Sequence, residues 1–122
     1  MKLVRLKDYI LTRGDTFYRI FSFTLRTPEG REPINLTEYP VISIDIRKGI
    51  TKKGELMASL SLFNGGITIT GDNNNILELL YFDTENWKGG DYFYDIRFTD
   101  NTNKTFTYSW GKLIVRENIT EL

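Results

Sequence analysis

The sequence predicts an all-β domain, an antiparallel β-sandwich of about eight short strands. Apolar residues recur at every second position in most segments, which is the period of a strand with one buried face. Clusters of Gly, Pro, Asn and Asp separate these segments at roughly even spacing. Because the chain has 122 residues, we expect one domain over residues 1–122. This pattern is typical of an immunoglobulin-like sandwich, and a small closed barrel is the alternative.

The start of the chain predicts an N-terminal arm followed by a turn and a strand. Residues 1–12 mix apolar residues with Lys and Arg, which suits an arm or edge strand that pairs with a neighbour's sheet. The sequence TRGDT at 12–16 contains an Arg-Gly-Asp tripeptide, which we interpret as a turn because Gly and Asp are ordinary turn residues. Residues 17–26 alternate as a strand with Leu25 on its apolar face, and Ile20 is an apolar exception on the other face.

The middle of the chain predicts two strands joined by polar turns. Residues 33–40 predict an extended connection, since a proline stands at each end. Residues 41–47 have the clearest alternation, with three isoleucines on one face. Residues 55–63 alternate again, and we expect Leu56 to point inward with the other apolar residues of that strand.

The second half predicts a series of hairpins. Asn-Gly-Gly at 64–66 and ITIT at 67–70 indicate one hairpin. Residues 76–82, ILELLYF, fit a strand or a helical face, and their length favours the strand. Residues 83–87 can form one helical turn with Asp83 as its N-cap. Residues 89–115 form the clearest hairpin, and residues 117–122 leave the domain as a polar tail.

The expected core follows from the apolar faces of the clearest strands. A strand places alternate side chains on one face, so the apolar set of each strand points to the interior. We expect these residues to be buried: Ile44, Ile46, Leu60, Tyr94, Ile96 and Phe106.

The composition argues against catalysis and against a cofactor. The chain has no His and no Cys, so the commonest general base, thiol nucleophile and metal ligands are missing. Asp45 and Asp95 are a conceivable carboxylate pair, but strand alternation alone explains both. The loop that begins at Asp72 is rich in oxygen ligands, yet its spacing does not match a calcium-binding loop. We therefore expect no catalytic, cofactor-binding or metal-binding residues.

The charge pattern points to proteins as partners. The 16 basic and 16 acidic residues balance, whereas a nucleic-acid binder usually has a basic excess. No apolar segment is long enough for a membrane span, and the N-terminus has too many charges for a signal peptide. We expect no nucleic acid, no membrane and no small-molecule substrate among its ligands.

Aromatic and apolar residues outside the expected core are candidates for a protein contact. Phe93 lies on the polar face of its strand, and Phe82 lies opposite the apolar set of its own. Tyr39 and Trp87 lie in connections between strands. Several such residues on one surface mark a protein interface. The candidate interface residues are Leu3, Val4, Leu6, Tyr39, Phe82, Trp87 and Phe93.

The order of the motifs resembles a group of small phage domains. RGDTF at 13–17 and PINLT at 33–37, which leads into a strand ending in Ile-Arg, are similar to the first half of that group. GDYFYDI at 90–96 and GKLIV at 111–115 are similar to its second half. The group includes the N-terminal domain of phage upper baseplate proteins. Glu38 stands where a glycine is usual, and residues 101–103 replace a turn that contains glycine.

The resemblance implies an immunoglobulin-like structural part of a virion without catalysis. The expected role is an adaptor or accessory subunit of the tail, baseplate, fibre attachment or head surface. Its expected partners are other virion proteins, with many copies in a symmetric assembly. Upper baseplate proteins continue into a long C-terminal region that this sequence lacks, which favours an accessory subunit over a receptor-binding one. The alternative function is a carbohydrate- or host-surface-binding module, with Trp87, Tyr39 and Tyr108 as stacking platforms.

Overall fold

A computed structural model describes residues 4–5, 8–51 and 53–117 of the chain. This part contains eleven strands and one short 3₁₀ helix, η1. In chain order the elements are β1 Val4–Arg5, β2 Tyr9–Thr12, β3 Phe17–Ser22, β4 Thr24–Thr27, β5 Gly30–Pro33, η1 Leu36–Glu38, β6 Val41–Lys48, β7 Leu56–Ser61, β8 Ile67–Thr70, β9 Ile76–Tyr81, β10 Gly90–Thr99 and β11 Thr105–Arg116.

The strands form two packed sheets and a separate hairpin. The large sheet has the order β1-β11-β10-β6-β7, and β2 also pairs with β11. The small sheet has the order β3-β9-β8, and β4 pairs with β5 as a hairpin. All pairings are antiparallel except those of β1 and β2, which lie parallel to β11. The chain is an immunoglobulin-like β-sandwich, as the sequence predicts.

The core lies between the two sheets, as the alternation predicts. From β6 and β10, the inward residues Ile44, Ile46, Tyr94 and Ile96 are buried. They face the buried side chains of the small sheet, which are Phe17, Phe21, Ile67, Leu77 and Leu79. Five of the six predicted core residues are buried, and the sixth, Phe106, is partly buried and packs edge-on against Phe98 with ring centroids 5.9 Å apart.

The N-terminal segment pairs with its own chain. The structure places Val4 of β1 opposite Ser109 and Ile10 of β2 opposite Ile114, both on β11. The described residues of this segment therefore form an edge of their own sheet, as the sequence allows, and the expectation that the arm joins a neighbour's sheet stays a prediction. Leu3 and Leu6 lie outside the described residues.

Residues 62–66 cross between the sheets instead of closing a hairpin. β7 pairs with β6 in the large sheet, whereas β8 pairs with β9 in the small sheet. The side chain of Asn64 holds the start of this crossing: its Oδ1 accepts from the Ser61 N–H at 3.0 Å, and its Nδ2 donates to the Ser59 carbonyl at 2.8 Å. The Asn-Gly-Gly segment therefore carries the chain from the large sheet to the small sheet, and the prediction of a hairpin over residues 64–70 is wrong.

Two connections differ from their predicted conformations. The segment 33–40 contains η1, which buries Leu36. Asn35 caps the N-terminus of η1, and its Oδ1 accepts from the Thr37 N–H. Residues 83–87 form a turn without a helix, and its organiser is Thr84 instead of Asp83. The buried Thr84 hydroxyl accepts from the Gly14 N–H at 3.0 Å and donates to the Asp15 carbonyl at 2.7 Å.

Two strand predictions fail at their ends. The predicted strand 17–26 divides at Phe23 into β3 and β4, because the Phe23 N–H bonds to Asn75 while its carbonyl accepts from Ile34. Leu25 then lies in the β4–β5 hairpin and is exposed. Leu56 is exposed as well, since the β6–β7 pairing shifts register beside Arg47. The sequence ILELLYF forms strand β9 up to Tyr81, as predicted.

Shortening Ile44 tests the position of the core. Ile44 is fully buried in β6, so Ile44→Ala leaves a cavity and is expected to cost about 2–5 kcal/mol of unfolding free energy. Val41→Ala is the matched control, because Val41 lies half exposed in the same strand and is expected to cost less than about 1 kcal/mol. Urea denaturation measures both. Equal losses for the two variants would contradict the assigned register.

Candidate interaction surfaces

The outer face of the small sheet carries four exposed apolar side chains. Tyr18, Ile20, Leu80 and Phe82 are 43, 53, 39 and 67% exposed. Tyr18 lies directly opposite Leu80 in the β3–β9 pairing, and Ile20 is two residues along β3 on the same face. Phe82 continues the outward positions of β9 just past its end. We call this group the small-sheet patch.

The patch arises because β3 and β9 carry apolar residues on both faces. The inward set of these strands is Phe17, Phe21, Leu77 and Leu79, which fills the core. The outward positions are apolar as well, although a strand with one solvated face usually carries polar residues there. Among the patch residues, only Phe82 was an interface candidate from the sequence, although Leu80 also falls opposite the apolar set of its strand. The sequence feature that could have indicated the patch was Ile20, an apolar residue in an outward position of its strand.

The charged residues next to the patch are acidic. The Tyr18 hydroxyl donates to Glu78 Oε1 at 3.0 Å, and this hydrogen bond raises the pKa of Tyr18. Asp83 and Glu85 are exposed in the turn that follows Phe82. Thr84 binds the Asp15 carbonyl and so brings a further exposed carboxylate to that turn. Glu78 lies opposite Ile20 on the same outer face, whereas Asp15, Asp83 and Glu85 lie at the turn beyond Phe82, and we call these four acids the acidic rim.

The outer face of the large sheet carries a charged cluster. Asp45 of β6 lies directly opposite Asp95 of β10. The ion pairs run along each strand: Arg47 Nη2 lies 3.8 Å from Asp45 Oδ2, and Arg97 Nη2 lies 3.5 Å from Asp95 Oδ2. Ser59 donates to Asp45 Oδ1 at 2.7 Å. The two carboxylates that sequence reasoning considered as a pair are thus neighbours, and arginines neutralise both.

Asp95 is the most buried charged side chain in this cluster, with 3% exposure. Burial raises the pKa of Asp95 because it penalises the charged form, and the adjacent Asp45 charge acts in the same direction. Arg97 and Arg47 oppose this shift without cancelling it. Within the described part of the chain, Asp95 Oδ1 has no hydrogen-bond partner.

Phe93 is on the large sheet, away from the small-sheet patch. Its ring stacks on Trp110 of β11, with centroids 5.9 Å apart and planes 19° apart, and it is partly buried. Phe93 and Phe82 therefore belong to opposite outer faces of the sandwich. The predicted interface residues do not converge on one surface.

Trp87 and Tyr39 are packed against the core. Trp87 is 3% exposed and lies between Tyr81 and Tyr92, with centroid distances of 5.4 and 5.3 Å. The prediction that Trp87 is a surface contact residue is wrong, because this stack closes one end of the core. Tyr39 is partly buried and stacks on Phe98 at 4.7 Å. Val4 lies in β1, but its side chain is outside the described part, as is that of Tyr108.

Neither a metal site nor a membrane-spanning helix is found among the described residues. Those residues contain no group of three or more His, Cys, Asp or Glu side chains arranged to hold a metal ion. They also contain no helix of the length and hydrophobicity needed to span a membrane.

The pH dependence of stability tests the environment of Asp95. Its pKa is higher in the folded than in the unfolded chain, so its contribution to stability is present below its ordinary pKa and is lost as the pH rises. We expect wild type to lose stability relative to Asp95→Asn when urea denaturation is followed from about pH 3 to about pH 7.

Asp100 gives a control of opposite sign. Its carboxylate accepts from the Thr102 hydroxyl at 2.6 Å and from the N–H groups of Lys104 at 3.0 Å and Thr102 at 2.8 Å, and these bonds lower its pKa. Wild type should therefore gain stability relative to Asp100→Asn over the same range. If wild type lost stability relative to both variants over this range, or gained stability relative to both, the environments assigned to Asp95 and Asp100 would be wrong.

Known structures similar to this chain are β-sandwich domains. The sequence matches no protein-family model and no curated protein. The fibronectin(III)-like modules of Clostridium thermocellum CbhA are 9% identical, with a TM-score of 0.46 over 93% of this chain and 92% of that chain. CopC from Methylosinus trichosporium OB3b is 15% identical, with a TM-score of 0.46 over 95% of this chain and 89% of that chain. Dpr1 IG1, solved with DIP-eta IG1, is 12% identical, with a TM-score of 0.42 over 93% and 91%. The similarity concerns architecture and not function.

Proposed function

We propose that this protein is a non-enzymatic structural subunit of a phage virion. Its role is that of an adaptor or accessory part of the tail, baseplate, fibre attachment or head surface, present in many copies and held by contacts with other virion proteins. The observation that carries the proposal is the small-sheet patch, because four large apolar side chains on one face are the mark of a protein contact.

The resemblance to small phage domains supports the virion assignment. Its motifs lie in the scaffold: RGDTF forms the turn before β3, GDYFYDI belongs to β10, and GKLIV belongs to β11. The turn is fixed by Thr84, and β10 is the central strand of the large sheet. A shared set of turn and strand residues supports a shared architecture, and the outer faces then determine what each member contacts.

A carbohydrate-binding function has less support. Stacking on a sugar requires an exposed aromatic ring, and Trp87 is buried between two tyrosines. Tyr39 is already stacked on Phe98. The exposed Phe82 belongs to the apolar patch, where it adjoins Leu80 and the acidic rim. This environment favours a protein surface over a glycan.

The test is incorporation of variants into particles. Phe82→Asp places a charge in the patch without touching the core, so the domain is expected to fold while its copy number per purified particle falls at least about tenfold. Phe63→Asp is the control, because Phe63 is fully exposed in the 62–66 crossing and lies outside the patch. Quantitative mass spectrometry of purified particles measures both.

Two results would contradict the proposal. The first is that wild-type protein is missing from purified particles while it is abundant in the infected cell. The second is a hydrolytic or transfer activity that copurifies with the protein and does not change with Phe82. Circular dichroism of each variant separates lost incorporation from lost folding.

A further inference from the structure

The small-sheet patch has a chemical character that selects its partner. Its centre is apolar, and its neighbouring charges are the carboxylates of Glu78, Asp83, Glu85 and Asp15. Two basic residues nearby are engaged or point elsewhere. Arg13 forms an ion pair with Glu117 at 2.6 Å, and Arg19 lies on the opposite face with its guanidinium over the Tyr9 ring. The matching surface is an apolar side chain surrounded by positive charge.

The β6–β7 turn of the same protein has this character. Ile50 is 66% exposed in the turn between β6 and β7, where Lys48, Lys53 and Glu55 are also exposed, so the exposed charges described there are net positive. Backbone hydrogen bonds from Lys48 to Glu55 and from Gly49 to Asp91 fix the base of the turn. The Arg47 side chain adds a bond to the Gly54 carbonyl at 3.2 Å. These bonds hold the two ends of the turn in a defined conformation.

The other projecting apolar residues do not match the acidic rim. Phe63 is fully exposed, but residues 61–66 around it carry no charge. Leu25 is exposed in the β4–β5 hairpin, where Arg26 and Arg31 alternate with Glu29 and Glu32. Ile50 differs from both because the exposed charged residues described in its turn are two lysines and one glutamate, Lys48, Lys53 and Glu55, which leave a net positive charge.

We propose that the small-sheet patch of one copy receives the Ile50 turn of a second copy. Ile50 lies against Leu80 and Phe82, and the lysines of the turn face the acidic rim. The inference rests on the proposed role as a repeated structural subunit and names a partner for its patch. Because the two surfaces differ, the contact is heterologous, and repeated contacts produce a ring or a filament.

One such contact between two copies has low affinity, and many of them together hold an assembly of repeated copies. One exposed isoleucine and a few solvent-exposed charge pairs contribute little alone. Neighbours held in an assembly raise the effective concentration of each further contact to the millimolar range, which compensates for low affinity. The charged part is screened by salt, so association of the purified protein weakens as the ionic strength rises.

The test uses two variants that each remove one side of the contact. Ile50→Asp removes the apolar side chain of the turn and leaves the patch intact, whereas Phe82→Asp disrupts the patch and leaves the turn intact. Sedimentation velocity at low salt, up to about millimolar protein, is expected to show self-association of wild type and at least about tenfold weaker association of each variant. An equimolar mixture of the two variants should recover one contact and form a 1:1 dimer that grows no further.

Several outcomes would overturn the proposal. Wild type that stays monomeric over the whole range would do so, as would a mixture that contains only monomers. Loss of association in Phe82→Asp with none in Ile50→Asp would indicate face-to-face pairing of two patches instead. Phe63→Asp is the control and should associate like wild type. The measurement uses purified protein alone, so it is independent of whether the protein is found in particles.

Discussion

The register of β10 between its two neighbours is the constraint on which the rest of the structure depends. β10 pairs with β6 from Tyr92 to Thr99 and with β11 along its whole length. Because side chains alternate along a strand, this register places Tyr94 and Ile96 in the core and Asp95 on the outer face. A slip of one residue would exchange the two faces and put a carboxylate between the sheets.

Gly111 shows how closely the two central strands approach. It lies opposite Tyr94 in the β10–β11 pairing, and a side chain at this position would place its Cβ 2.5 Å from the tyrosine oxygen. The Tyr94 ring fills that space and contacts Tyr9 and Phe21 at centroid distances of 6.1 and 6.5 Å. An apparent break in the alternation of β11 is therefore a packing requirement, which lets a large aromatic residue lie flat against the sheet.

The strand edges are protected, whereas one face is left apolar. The Asn64 side chain forms hydrogen bonds with the backbone of Ser59 and Ser61 in the edge strand β7. At the edge strand β3, Arg19 donates to the Tyr18 carbonyl at 2.6 Å and covers the Tyr9 ring with its guanidinium. Inward-pointing charges and occupied backbone groups are the usual means by which edges avoid pairing with other chains.

The sequence by itself determined most of the strand segments and, for the clearest strands, which face turns to the core. The period of two requires no knowledge of the partner strand, so Ile44, Ile46 and Ile96 were predictable from their own segments. Glycine and asparagine likewise marked the turns. The alternation also indicated that Ile20 and Phe82 were apolar residues in outward positions, but it did not bring them together.

Only the tertiary structure decided which strands meet. Residues 67–70 follow a turn sequence typical of hairpins, yet β8 pairs with β9, because the chain changes layers at Asn64 to bury Ile67. Trp87 lies in a connection with no periodicity, so its stacking between Tyr81 and Tyr92 could not be inferred from its neighbours in sequence. The patch unites β3 with β9, which lie about sixty residues apart in the chain and adjoin only through sheet pairing. Local patterns specify the face of a strand, whereas the choice of partner depends on the free energy of packing the whole core.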